Sequence, residues 1–215
     1  MEDYTVDGTT TGAFDFSKID VTHTPVYSAQ DLEFDGTNYV DTGVALFDAN
    51  IGGNFTIFLD YTTQSAKANS AMILSCATAG NKSGFWLRNN GGSATSTICY
   101  FHNGTNEYSN LVNPTCSTVG DRVKIIIRAI NGDEWEIFVY TTSGRYKQTI
   151  AKSIPNAIGE LSETLLLGAS INSSGNIASY SKGTMHDIQV YDTVLSNWEI
   201  AKYMGWTDYI LEDET

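Results

Sequence analysis

From Leu32 onward the chain alternates short apolar runs with clusters of Gly, Asn, Asp and Ser, the pattern of antiparallel strands joined by polar turns. Leu32-Glu33-Phe34 alternates, Asp35-Gly36-Thr37-Asn38 turns the chain, and Tyr39-Val40 resumes it. Residues 54–61 put Phe55, Ile57 and Leu59 on one face and Thr56, Phe58 and Asp60 on the other, which predicts a strand buried largely on both sides. Residues 71–77 and 84–89 predict the next two strands. Asn89-Asn90-Gly91-Gly92 then supplies the positive φ values of a hairpin turn into residues 97–102. The clearest hairpin is central, where 122–129 and 135–140 flank Ile130-Asn131-Gly132-Asp133-Glu134. In its second arm Trp135, Ile137 and Val139 share a face, and Glu136, Phe138 and Tyr140 share the other. Residues 164–169 and 185–191 predict two further strands. The pattern predicts one helix, over 196–204: Ser196 is a good N-cap, Glu199 its capping-box partner, and Gly205 stands at the C′ position. Trp198, Ala201 and Met204 are its expected anchors.

Outside these elements the text changes. Residues 1–30 are turn-rich and weakly patterned, and read as an extended N-terminal segment that could dock the domain to a partner. Residues 208–215 hold four acids and read as an acidic tail, leaving 31–207 as the folded domain. Ser, Thr, Asn and Gly make up more than a third of the 215 residues, Pro numbers only 3 and charged residues are 17%, which fits an all-β domain with many polar turns. Hydrophobic residues at 41% supply a real core.

Charge narrows the partners. Against 25 Asp+Glu stand 12 Lys+Arg, a formal net charge of −13, whereas nucleic-acid phosphates and anionic membranes both call for clustered cations. Neither is expected as a partner. No run approaches the roughly 18 apolar residues of a membrane span, so no membrane insertion is expected. Met1-Glu2-Asp3-Tyr4 is acidic where a secretory signal is basic and then apolar, so no such signal is expected either. Cys76, Cys99 and Cys116 are odd in number and lack CxxC spacing, and read as buried thiols.

Three spaced blocks carry a likeness. Leu32-Glu33-Phe34-Asp35-Gly36-Thr37-Asn38-Tyr39-Val40-Asp41 resembles the opening strand of laminin-G-like, concanavalin A-like jelly-roll domains. Leu165-Leu166-Leu167-Gly168, then Gly183 through Asp192, then Val194-Leu195-Ser196 with Glu199-Ile200 resemble that family's closing block, in which the last strand runs into a short helix. The central hairpin is similar in position to the family's paired strands. The resemblance covers roughly residues 31–204. It implies a two-sheet antiparallel β-sandwich and a role in glycan or protein recognition. His186 stands where the family commonly has an acid ahead of Asp187, a departure that weakens any calcium role carried over to that strand.

Jelly-roll glycoside hydrolases place two carboxylates about 5 Å apart on one strand face, but their Glu-x-Asp-x-x-Glu signature is absent. Glu134 and Glu136 are the nearest acidic pair, at the end of a hairpin where acids are normally just solvated. No Gly-x-Ser-x-Gly elbow accompanies His23, His102 or His186, so no enzyme is expected. Sugar binding needs aromatic faces beside amide or guanidinium donors. Trp86 and Arg88 share a strand face, Asn89 and Asn90 begin the adjoining turn, and Tyr100, His102, Asn103 and Tyr108 extend the surface. The competing reading makes Trp86 and Tyr100 cross-strand packing of the sandwich. Calcium wants six to eight oxygens. Asp35, Asp41, Asp48 and Asp187 are its candidates, against the ordinary use of turn acids as caps for backbone N–H groups.

The sequence thus predicts an all-β, jelly-roll sandwich with one short C-terminal helix, acting as a non-enzymatic binding or structural module. The leading expectation is an accessory protein on a bacteriophage virion surface, attached to other structural proteins through residues 1–30 and able to touch cell-surface glycans. The alternative is a free carbohydrate-binding or adhesion module at a bacterial surface or outside the cell. A homo-oligomer fits either setting.

Overall fold

The computed structural model describes residues 23–63, 71–80, 83–89, 97–103, 105, 107–112, 120, 122–131, 134–141, 144–151 and 160–204. Contacts divide the chain into a sandwich unit, Thr24–Val194, and a terminal unit made of Met1–His23 with Leu195–Thr215.

Alternation becomes strand throughout the sandwich unit. In chain order the strands are β1 Tyr27–Asp35, β2 Val40–Asp41, β3 Phe55–Thr63, β4 Met72–Ala77, β5 Ser83–Asn89, β6 Thr97–Asn103 and β7 Glu107–Val112. The second half holds β8 Arg122–Ile130, β9 Glu134–Thr141, β10 Gly144–Ala151, β11 Leu166–Leu167, β12 Ser170–Ile171, β13 Ile177–Ala178 and β14 Lys182–Tyr191. One sheet runs β1-β14-β3-β8-β9-β10, the other β2-β11-β4-β5-β6-β7, and β12-β13 form a separate small hairpin. The central hairpin folds as the Asn-Gly turn demands: β8 pairs with β9 from Ile130↔Glu134 to Lys124↔Tyr140, and Asn131 takes φ 52°. Its N–H donates to Asn54 Oδ1 at 2.9 Å.

The core lies between the sheets. Phe55, Ile57 and Leu59 from β3, Ile125 and Ile127 from β8, and Trp135, Ile137 and Val139 from β9 meet Leu74, Cys76, Phe85, Leu87 and Cys99 of the other sheet. Cys76 and Cys99 are fully buried, and burial pushes the Cys76 thiol up to about 12. Cys116 lies outside the described residues.

The sandwich begins earlier than the sequence pattern suggests. β1 starts at Tyr27; half-buried Tyr27 and Ala29 alternate with exposed Ser28 and Gln30, and all four pair with β14. The alternation slips at Asp31, which adopts φ 53°: the ladder passes over Asp31 and His186 between Gln30↔Asp187 and Leu32↔Met185 without a change of register. At the other end, the strand expected over 164–169 narrows to Leu166–Leu167. Gly168 takes φ 79°, and a Cβ there would lie 2.3 Å from Phe34 Cδ1, so the chain turns under the Phe34 ring where no side chain fits.

In the terminal unit α1 spans Asn197–Met204. Its capping box is complete: Ser196 N–H and Oγ–H both donate to Glu199 Oε2 at 2.9 Å, and Glu199 N–H donates back to Ser196 Oγ at 3.3 Å. Leu195, Ile200 and Ala201 are fully buried, while Trp198, an expected anchor, is only half-buried. His23 Nδ1 adds a 2.7 Å hydrogen bond to Glu199 Oε1. Burial pushes the Glu199 carboxyl up, but the hydrogen bonds from His23 and Ser196 outweigh it and hold the group below its ordinary 4.5.

Two outcomes follow. Because its folded value is depressed, Glu199 contributes stability that is present above pH 4.5 and lost as pH falls below it. The melting temperature of Glu199→Gln should therefore fall short of wild type at neutral pH and converge with it in acid. Gly43 and Gly84 both have positive φ, but a Cβ at Gly43 meets open space and one at Gly84 lies 2.2 Å from the Cys76 carbonyl oxygen. Chemical denaturation should show Gly43→Ala costing about 1–2 kcal/mol from conformation alone, and Gly84→Ala about 3 kcal/mol or more.

Candidate functional site

Register fixes which candidate residues meet. Across the second sheet, Ser75 pairs with Trp86 and Trp86 with Tyr100, while Met72 pairs with Arg88 and Ala77 with Gly84, which faces His102. Trp86, Arg88, Tyr100 and His102 therefore hold positions on one side of the sheet, the side turned from the core residues Phe85 and Leu87. Asn89, Asn103 and Tyr108 fall in the alternate rows: Tyr108 pairs with Phe101, which pairs with Phe85. Asn90 lies outside the described residues. The predicted surface is thus split between two sides of the sheet.

Burial corrects it further. Trp86 is only 3% exposed, packed with Met72 and Ala77 in a small cluster of its own. An indole enclosed that way offers no face to a sugar, so the packing reading holds for Trp86. Its burial on the side away from the main core is what alternation could not reveal, since period two assigns a side and says nothing of what covers it. Arg88 and His102 remain half-buried beside it.

The acidic pair also resolves. Glu136 is 3% exposed and ion-paired across the β8–β9 ladder with Arg128, whose Nε donates to Glu136 Oε2 at 2.6 Å. The Arg128 guanidinium sits 5.4 Å from the Phe138 ring centroid. Glu136 is therefore neither a solvated turn acid nor a carboxylate open to a substrate: its charge is committed to a buried partner.

Each calcium candidate caps its own neighbourhood. Asp35 Oδ1 accepts Thr37 N–H and Oγ–H at 2.7 Å, and these bonds hold its carboxyl pKa below the ordinary value. Asp41 Oδ1 accepts Gly43 N–H at 3.0 Å; Asp48 Oδ1 accepts Asn50 and Ile51 N–H groups at 2.9 Å. Asp187 Oδ2 accepts from Gln189 Nε2 at 2.8 Å. Among the described residues, no three His, Cys, Asp or Glu side chains gather as a metal group. His186 bulges out of the β14–β3 ladder, where Met185 faces Tyr61 and Asp187 faces Asp60, and its Nε2 lies 2.9 Å from Thr62 Oγ1.

One aromatic feature escaped the sequence reading. Tyr39, just before β2, is 43% exposed, and its ring meets that of Tyr180 at a centroid distance of 6.4 Å and an angle of 52°. Tyr180 is tied to the second sheet through a bridge to Met72. A large aromatic within the polar runs Thr37-Asn38-Tyr39 and Ala178-Ser179-Tyr180-Ser181 was the available signal, because the core makes least demand there.

No protein-family model matches the chain, and no curated protein sequence matches it. Solved structures do. The Ruminococcus gnavus IT-sialidase CBM40 bound to alpha2,3 sialyllactose superposes with a TM-score of 0.63 at 19% identity, covering 86% of this chain and 100% of that one. The leech intramolecular trans-sialidase matches with a TM-score of 0.59 at 16% identity, over 88% of this chain and 29% of its own. The LG1-3 region of the laminin alpha2 chain matches with a TM-score of 0.56 at 16% identity, over 78% of this chain and 32% of its own. The fold is that of the laminin-G-like, concanavalin A-like jelly rolls: two antiparallel sheets and, among the described residues, one short C-terminal helix. Among the described residues no helix is long and apolar enough to cross a membrane.

The burial of Trp86 makes a direct test. Trp86→Ala should lose about 3–5 kcal/mol in a urea melt, as for a buried aromatic, whereas an exposed stacking residue would leave the midpoint within experimental scatter.

Proposed function

We propose that this protein is a non-enzymatic glycan-binding module with an adhesive role. The observation that carries the reading is the extent of the likeness: the sandwich spans the whole of a solved carbohydrate-binding module. The chemistry agrees. Glu136, one of the two candidate acids of a hydrolase pair, is buried and ion-paired with Arg128 in the β8–β9 ladder, closed off from a substrate. Tyr39, exposed and in ring contact with the half-buried Tyr180, gives the domain what a sugar site needs, an apolar ring face in contact with solvent.

On this reading the partners are cell-surface glycans and the protein works at a surface or outside the cell. The finer setting, a bacteriophage virion in which the part of residues 1–30 ahead of β1 is the docking arm to other structural proteins, is supported by the acidic, Asn- and Thr-rich composition and by the weak patterning of that segment.

A glycan array probed with the full chain, with calcium and with a chelator, tests the function. The expected result is selective retention by one class of glycan without release of any sugar product. A blank array in both conditions, or turnover of a bound glycan, would overturn it.

A further inference from the structure

We infer that Tyr39 and Tyr180 form an aromatic clip, at the edge of the second sheet, for the apolar face of a neutral pyranose ring. The inference rests on the glycan reading above and names its site and ligand class. Tyr39 precedes β2, the edge strand of its sheet, and only Tyr39 and Val26 are exposed among the described large hydrophobic side chains. At 52° the two phenols open as a V instead of lying flat on each other, so ring surface stays available for a C–H-rich ligand.

The clip is preorganised. β2 is held by Val40↔Leu167 and Asp41↔Leu166. The turn before Tyr39 is locked from three directions: Asp35 Oδ1 takes both Thr37 donors, Asn38 Oδ1 accepts Asp35 N–H at 2.9 Å, and Asn38 Nδ2 donates to Glu33 O at 2.8 Å. Tyr180 is bracketed by two backbone bonds, Met72 N–H to Ser179 O and Ser181 N–H to Gly168 O, both 2.8 Å. Ser179 holds φ 56°, a left-handed conformation that points the chain into this bracket. Rings fixed by their backbones lose little freedom when a ligand arrives.

Charge selects the sugar. Asp41 follows Tyr39 by two residues and is exposed, and Asp35 is exposed in the preceding turn. Gly43 N–H occupies one acceptor position of the Asp41 carboxylate, which has about four, so hydroxyl groups find acceptors there. The same two carboxylates repel an anionic sugar, in a chain that carries −13 overall. A neutral pyranose satisfies both the ring faces and the acids. That ligand class differs from the sialyllactose named with the Ruminococcus gnavus module.

The test titrates the full chain with neutral and sialylated oligosaccharides by calorimetry, for wild type, Tyr39→Ala, Tyr39→Phe, Tyr180→Ala and Val26→Ser. Val26 stands at the opposite end of β1, about 30 Å along the strand from the Asp35 turn. Expected are neutral-sugar binding by wild type, about tenfold weaker binding for Tyr39→Ala, near wild-type binding for Tyr39→Phe and Val26→Ser, and unchanged melting of the Tyr39 variants. Tyr180→Ala should weaken binding likewise, and if it fails to fold the Tyr39 pair decides. Wild-type binding that Tyr39→Ala leaves intact would overturn the clip while the glycan reading stands. Preference for sialylated over neutral sugar would overturn the ligand class. A wild type that binds no glycan in either set would overturn the glycan reading itself, and the clip with it.

Discussion

Four aromatic rings hold the two sheets in register with each other. Phe55 and Trp135 come from the first sheet, Phe85 from the second, and Phe47 from the segment between β2 and β3. Their centroids lie 5.3 Å (Phe85–Trp135), 5.4 Å (Phe55–Trp135), 5.7 Å (Phe47–Phe55) and 6.0 Å (Phe55–Phe85) apart. All four side chains are buried, and the Phe47–Phe55 contact is edge-on at 90°. Such pairs add about 0.5–1.5 kcal/mol each beyond the area they bury. They also fix geometry, because rings in edge and tilted contact interlock where aliphatic side chains would slide. β3, β5 and β9 are thereby pinned at one point, and their hydrogen-bonded neighbours inherit that register strand by strand.

What remains for chemistry is decided by the sides turned away from this core. On the first sheet, Phe58, Ile126, Phe138, Tyr191, Arg128 and Glu136 are buried on the far side as well. Toward the other end of the same side the groups are polar and mutually satisfied. Arg122 holds Asp60 through two bonds of 2.7 and 2.8 Å, Thr184 donates to Glu33 Oε1, and Tyr191 donates to Gln189 Oε1, whose amide in turn serves Asp187. On the second sheet Trp86 is enclosed. At the edge of that sheet stands Tyr39, exposed and in ring contact with Tyr180.

Local signals were legible in the sequence and covered ones were not. The strand at 55–63, the β8–β9 hairpin and the Ser196–Glu199 capping box each depend on residues within about ten positions of one another, so period-two alternation and cap chemistry read them directly. The sharing of one side by Trp86, Arg88, Tyr100 and His102 was legible for the same reason. Trp86's enclosure was not, because it depends on Met72 and Ala77 and on whatever else closes that side. Glu136 looked like a hairpin acid until its cross-strand neighbour proved to be Arg128. The Tyr39–Tyr180 contact joins residues far apart in the sequence, and only the placement of β11 and the Gly168 turn brings them together.

The Gly168 turn therefore bears on function as well as on packing. Its carbonyl accepts Ser181 N–H and its own N–H donates to Ile73 O, so the one residue ties the segment carrying Tyr180 to β4. It can do so only by passing beneath Phe34, where a Cβ would collide with the ring. Phe34 belongs to the same Leu-x-Phe-Asp-Gly run whose turn delivers Tyr39. One buried contact between a ring and a glycine thus positions both halves of the clip: Phe34 anchors the strand that leads to Tyr39, and Gly168 anchors the loop that leads to Tyr180. Tyr39 can stay exposed, and Tyr180 half-buried beside it, because the residues that locate them are fully buried.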